Sequence, residues 1–125
     1  MKTIALIAHN ERKMDLVQWV IFNKDTLAKY NLVGTSTTAK TIENSTNLKV
    51  KGLGSGPLGG DIIIASKVLE GKIDLIIFLI DVLSSHAHQV DIDALIRTCV
   101  LHKTPLALNR KSADYILLGM QNERQ

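Results

Sequence analysis

The sequence predicts a doubly wound α/β fold: a five-stranded parallel sheet with helices on both faces, in a single domain over residues 1–125. Three observations predict it. Short, continuous apolar runs recur along the chain, as in strands buried on both faces. Segments with apolar residues at helical spacing alternate with those runs, the pattern of βαβ units. Polar and glycine-rich stretches follow the runs, where open parallel sheets bind their ligands.

Taken in order, Ile4–Ala8 is the first apolar run and reads as a buried strand. Met14, Val17, Val20, Ile21 and Phe22 recur at helical spacing, which predicts a helix over roughly 11–30. Leu32 and Val33 open a second strand, followed by Gly34, the hydroxyl cluster Thr35-Ser36-Thr37-Thr38 and a short helix to about Thr46. Leu48–Gly52 reads as a weak third strand at an edge. A glycine-rich stretch, Ser55–Asp61, then leads into a helix over Ile62–Leu69, with Gly71 as its terminating residue. Ile73–Ile80 is the clearest central strand. Asp81 and a polar loop carrying His86 and His88 follow, then an amphipathic helix over Asp91–Leu101. Thr104–Leu108 is the fifth strand, with Pro105 tolerated near its start. Ser112–Leu118 forms a last short helix, and Gly119–Gln125 reads as a frayed polar tail.

The composition narrows the function. A chain of 125 residues with 46% apolar and 22% charged residues has enough core for one domain and does not resemble a disordered chain. The net charge of +3 suits an anionic ligand, but the basic residues are scattered, and 4% aromatics offers little for stacking bases. Nucleic acid is therefore not the expected partner. Cys99, the lone cysteine, cannot form an intrachain disulfide and reads as a small buried thiol. The amino terminus lacks the pattern of a signal peptide, and the run around Ile73–Ile80 is too short to span a bilayer, so a cytoplasmic location and no membrane partner are expected. The spacing of His and Asp matches no metal pattern. No metal is therefore expected, and with neither a Walker loop nor a dinucleotide glycine motif present, no nicotinamide cofactor is expected either.

Sorted by the strand that each follows, the polar residues gather at one edge of the sheet. His9 and Lys13 follow the first strand, Thr35–Thr38 the second, Ser55–Asp61 the third, and Asp81, His88 and Asp91 the fourth. Hydroxyls and backbone N–H groups at a helix start form an anion site, because the first-turn donors lack intrahelical partners and the helix dipole is positive there. Thr35, Ser36, Thr37 and Thr38 can supply such donors, and Ser55-Gly56 is a second candidate nest. Lys13, four residues after His9, would share a face with it at a helix start and suit a phosphate dianion. Asp61, after two glycines, is a candidate general base. Read singly, each has a plainer structural role: a capping cluster, a tight turn, a surface lysine, a dipole-complementing carboxylate. His88 stands close to Asp81 and Asp91, carboxylates that can fix its tautomer, though a lone loop histidine is ordinarily just solvated.

Together these motifs resemble the methylglyoxal synthase family over about 105 residues in register. The matching segments are Ile4–His9 with Lys13, Thr35–Thr38, Ser55-Gly56-Pro57-Leu58-Gly59-Gly60-Asp61, Ile76–Leu79 with Asp81, His88 and Asp91, then Ala94–Arg97 and Pro105–Ala107 with Asn109. The chain departs from the family pattern at Asn10, Ser36, Ala39, Ile62, Ile63, Val82, Gln89 and Val90. The resemblance implies a carbon–oxygen lyase that eliminates inorganic phosphate from dihydroxyacetone phosphate to give methylglyoxal. It implies Asp61 as base, His88 as proton carrier in contact with substrate, and Asp81 and Asp91 as supporting carboxylates. It also implies that His9, Lys13, Thr35, Thr37, Thr38, Ser55 and Gly56 hold substrate and phosphate, and that the protein is a homohexamer without metal or cofactor. The alternatives are a non-catalytic regulatory module of the same fold that binds a phosphate ligand, another lyase or isomerase on a related phosphorylated ligand, and a flavodoxin-like receiver or flavin carrier.

Overall fold

The computed structural model describes residues 1–54, 60–83 and 89–123, and the side chains at 60, 61 and 89–91 fall outside the described ones. Strands β1 (Thr3–Ala8), β2 (Asn31–Gly34), β3 (Lys51–Gly52), β4 (Leu75–Leu79) and β5 (Leu106–Ala107) form one sheet in the order β3-β2-β1-β4-β5. All four pairings are parallel. The helices are α1 (Lys13–Phe22), α2 (Lys24–Leu27), α3 (Ser36–Thr46), α4 (Gly60–Leu69), α5 (Gln89–Leu101) and α6 (Arg110–Gln121).

The chain first moves outward from β1 through β2 to β3, then returns across the sheet to β4 and β5. Right-handed crossovers place helices on opposite faces when the direction of travel reverses. Accordingly β1 buries alternate residues in two cores. Ile4, Leu6 and Ala8 join Leu16, Val20, Ile42 and Leu117 from α1, α3 and α6. Ala5 and Ile7 join Ile64, Val68, Ile92, Leu95 and Cys99 from α4 and α5. Burial on both faces explains the unbroken apolar run of β1.

The fold class agrees with the sequence reading, while several boundaries differ. The helix expected over 11–30 is in fact a 3-10 turn (Asn10–Arg12), α1 and α2. The break is at Asn23, whose side-chain Nδ2 donates to the Trp19 carbonyl at 2.8 Å while its backbone leaves the helical region at φ −110°, ψ 19°. An asparagine that bonds locally competes with the helix ladder. The buried face of α1 is Leu16, Val17, Trp19 and Val20, whereas Met14, Ile21 and Phe22, assigned to the helical stripe by spacing, are exposed. β3 is shorter than expected because the Val50 N–H bonds to the Glu43 carboxylate at 3.0 Å, so pairing with β2 begins at Lys51. Six helices stand among the described residues where five are expected. The last starts at Arg110 behind an Asn109 cap, whose Oδ1 accepts from the Ser112 N–H at 2.9 Å. It also runs through the supposed tail to Gln121, since Met120 packs into the core. Gly71 terminates α4 as expected, at φ +73°.

Candidate active site

In this strand order the direction of winding reverses between β1 and β4, which makes their carboxyl ends the topological switch point where open parallel sheets bind ligands. His9 is the residue after β1, and Asp81 stands two residues after β4. The His9 N–H donates to the Leu79 carbonyl at 3.1 Å. The Asp81 N–H donates to His9 Nδ1 at 3.0 Å. Because Nδ1 accepts, the neutral ring carries its proton on Nε2, so the loop fixes the tautomer. Phe78 holds the ring edge-on, with centroids 5.3 Å apart and planes at 82°.

Asp81 is buried, at 7% exposure, and a buried carboxylate needs partners. Its Oδ1 accepts from the Leu83 N–H at 3.2 Å, a local Asx-type bond that shapes the loop. The same oxygen lies 3.6 Å from Arg12 Nη2, and Arg12 Nη1 reaches Asp15 at 3.1 Å. Arg12 thus ties the loop after β4 to the start of α1. Sequence reading misses it: the Arg12–Asp15 spacing of three is visible, but the Asp81 contact arises only when β1 and β4 pair.

The start of α3 follows β2, the neighbour of β1, at the same end of the sheet. Gly34 ends β2, and Thr35 is the N-cap in extended conformation at φ −62°, ψ 152°. Its side chain makes no cap bond to the helix; Thr35 Oγ1 bonds Thr38 Oγ1 at 3.1 Å instead, both residues being buried. Ser36 and Thr37 are exposed. The Ser36 N–H is taken by the Gly54 carbonyl at 2.6 Å, and the Leu53 N–H by the Gly34 carbonyl at 2.7 Å, which anchors the chain after β3 to the α3 start. Ser36 therefore offers its hydroxyl rather than its amide.

Lys13 is the first residue of α1 and half-buried. It does not share a helical face with His9, because His9 precedes the 3-10 turn in extended backbone at φ −62°, ψ 155°. Asp61 is the second residue of α4 and Asp91 the third of α5, and their side chains lie outside the described residues. Ser55, Gly56 and His88 also lie outside them. Of the sequence candidates, the described structure joins His9 with Asp81 and Thr35 with Thr38.

Asp74, at the opposite end of the sheet, accepts from the Thr3 N–H at 2.8 Å. Burial in the second core pushes the Cys99 thiol up to about 11, which keeps it protonated and unreactive. No helix among the described residues is long and apolar enough to cross a membrane.

The chain is similar to known proteins over most of its length. The family model described as MGS-like domain matches residues 15–108. A methylglyoxal synthase of Leptospira interrogans is 47% identical over 120 residues, covering 96% of this chain and 81% of the relative. That of Thermus thermophilus is 43% identical, covering 94% and 93%. The crystal structure of methylglyoxal synthase from Elizabethkingia anophelis superposes with a TM-score of 0.88 at 45% identity, over 93% of this chain and 76% of that one.

Proposed function

Since the chain belongs to the methylglyoxal synthase family, we propose that it converts dihydroxyacetone phosphate to methylglyoxal and inorganic phosphate at the carboxyl ends of β1 and β4. The observation that carries this reading is the bond from the Asp81 N–H to His9 Nδ1, which sets a fixed imidazole at the switch point beside the hydroxyl-rich start of α3.

In this reading, Asp61, at the start of α4, takes a proton from the hydroxymethyl carbon and leaves an enediolate. His9, neutral with its proton on Nε2, donates to the substrate oxygen where charge develops. The electron pair then expels phosphate by breaking the bond from carbon to the bridging oxygen, and the resulting enol ketonises to methylglyoxal. An isomerase would keep that bond in the enediolate plane; the synthase holds it out of plane, so the π electrons overlap with it. Thr35, Ser36, Thr37, Thr38, Ser55 and Gly56, with Lys13, hold the phosphate and stabilise it as it leaves. His88 carries protons between the oxygens, and Asp81 and Asp91 support the two histidines.

The assembly in this reading is a homohexamer acting in the cytoplasm. Exposed apolar side chains support an oligomer: Phe22 is 80% exposed and Tyr115 66% exposed, on helices that share one face of the sheet.

The test is incubation with dihydroxyacetone phosphate, measuring free phosphate and methylglyoxal together. Equal amounts of both are expected, with turnover abolished in Asp61→Asn while phosphate binding persists. Near-normal turnover in that variant would refute the role of Asp61. Binding without turnover in the natural chain would favour a regulatory module of the same fold.

A further inference from the structure

Helices α1, α3 and α6 cover one face of the sheet, and α4 and α5 cover the other. The second face is incompletely covered at its β2–β3 wing, where Val33 and Leu53 are only half-buried. A groove of about 520 Å³ opens there, lined by Val33, Leu53 and Tyr30 among others and by four lysines, Lys49, Lys51, Lys67 and Lys72.

These lysines come from three places in the chain: the approach to β3 and β3 itself, α4, and the turn after α4. Among the described residues, no aspartate or glutamate lines the groove. Lys72 lies 3.7 Å from Glu70, but both groups are well exposed, so that pair is weak. Among the described residues, no carboxylate pairs with Lys49, Lys51 or Lys67. The nearby Glu43 carboxylate is engaged by the Val50 N–H. Four cations around one concavity repel one another, and an anion seated there relieves that repulsion. Lysine binds phosphate as a compact point charge. The apolar floor and Tyr30 would be left unused by a bare inorganic ion, whereas a flat organic body can cover them. The volume lies within the range of small-molecule sites.

We propose that this groove binds an organic phosphate with a flat apolar body and two or more negative charges, the class that includes nucleoside di- and triphosphates. It opens beside Thr3 and Asn31, at the amino ends of β1 and β2, the opposite end of the sheet from the switch point. The inference is therefore independent of the proposed activity.

Calorimetric titration of the full chain with ATP, and separately with inorganic tripolyphosphate, tests it. One saturable ATP site per chain is expected, weakened by added KCl. Tripolyphosphate should bind more weakly, because it leaves the apolar floor uncovered. The Lys49→Ala, Lys67→Ala double variant should bind ATP about tenfold or more weakly, since each substitution removes one charge-assisted interaction with the phosphates. An unchanged circular-dichroism melt establishes that the variant is folded; should the pair not fold, Lys49→Gln and Lys67→Gln are titrated singly. ATP should bind Asp61→Asn equally well with or without dihydroxyacetone phosphate. Absence of a saturable ATP site, as when a second copy of the chain covers the groove, overturns the proposal. So does affinity indifferent to the lysine variants, displacement by dihydroxyacetone phosphate, or tripolyphosphate binding as tightly as ATP.

Discussion

Replacing Gly34 by alanine should destabilise the protein by about 2–3 kcal/mol, the cost of overpacking a site that cannot yield. Gly34 pairs with Leu6 in the β1–β2 ladder. A Cβ built on Gly34 would stand 2.6 Å from the Leu6 carbonyl oxygen and 3.7 Å from its carbon. The opposing atom is backbone of Leu6, a fully buried residue in a strand paired on both sides, so no flexible side chain can move aside. The strand backbone at Gly34 is ordinary, and the effect is therefore steric. Gly119→Ala provides the opposite case. Gly119 lies within α6, and a Cβ there meets nothing within 4 Å. Alanine in a helix interior is favoured over glycine by roughly 0.5–1 kcal/mol, so this variant should be more stable. Urea unfolding followed by circular dichroism, at one fixed protein concentration, measures both. In thermal melts the shift should be roughly 4 °C per kcal/mol for a chain of this length. Because Thr35 follows Gly34 directly, Gly34→Ala should also raise KM for dihydroxyacetone phosphate. A Gly34→Ala stability within about 0.5 kcal/mol of the natural chain, or a shift of both variants in the same direction, would refute the packing argument.

Three further outcomes are expected. Asn109→Ala removes the side-chain cap on the Ser112 N–H and should cost about 1 kcal/mol by the same urea assay, while Asn109→Ser should recover most of it. Cys99 should resist a disulfide reagent in the folded protein at pH 8 and react at once in urea, because it is 2% exposed and its thiol is pushed up to about 11. A thiol raised in the folded state keeps its proton while the unfolded thiol ionises. Cys99 therefore lowers stability as pH rises from about 9 toward 11, and leaves it unchanged at lower pH. Cys99→Ala should flatten that alkaline slope in unfolding measured across the range.

The apolar runs and the alternation of periods were sufficient to specify a parallel sheet covered on both faces, because burial of both faces leaves no polar residues in a strand such as Ile4–Ala8. The sequence was likewise sufficient to bring His9, Thr35–Thr38 and Asp81 to one edge, since in a parallel sheet every strand ends on the same side. Helix limits were less accessible to it. The break at Asn23 depends on a side chain competing for one carbonyl, and the extension of α6 depends on Met120 finding the core. Only the tertiary structure decided which residues meet across that edge. Asp81 and His9 are separated by 72 positions in the chain, and their bond, the tautomer that follows from it, and the contact of Arg12 with Asp81 all exist because β4 lies beside β1. That neighbour relation comes from strand order, which long-range packing sets, and no local period in the sequence encodes it.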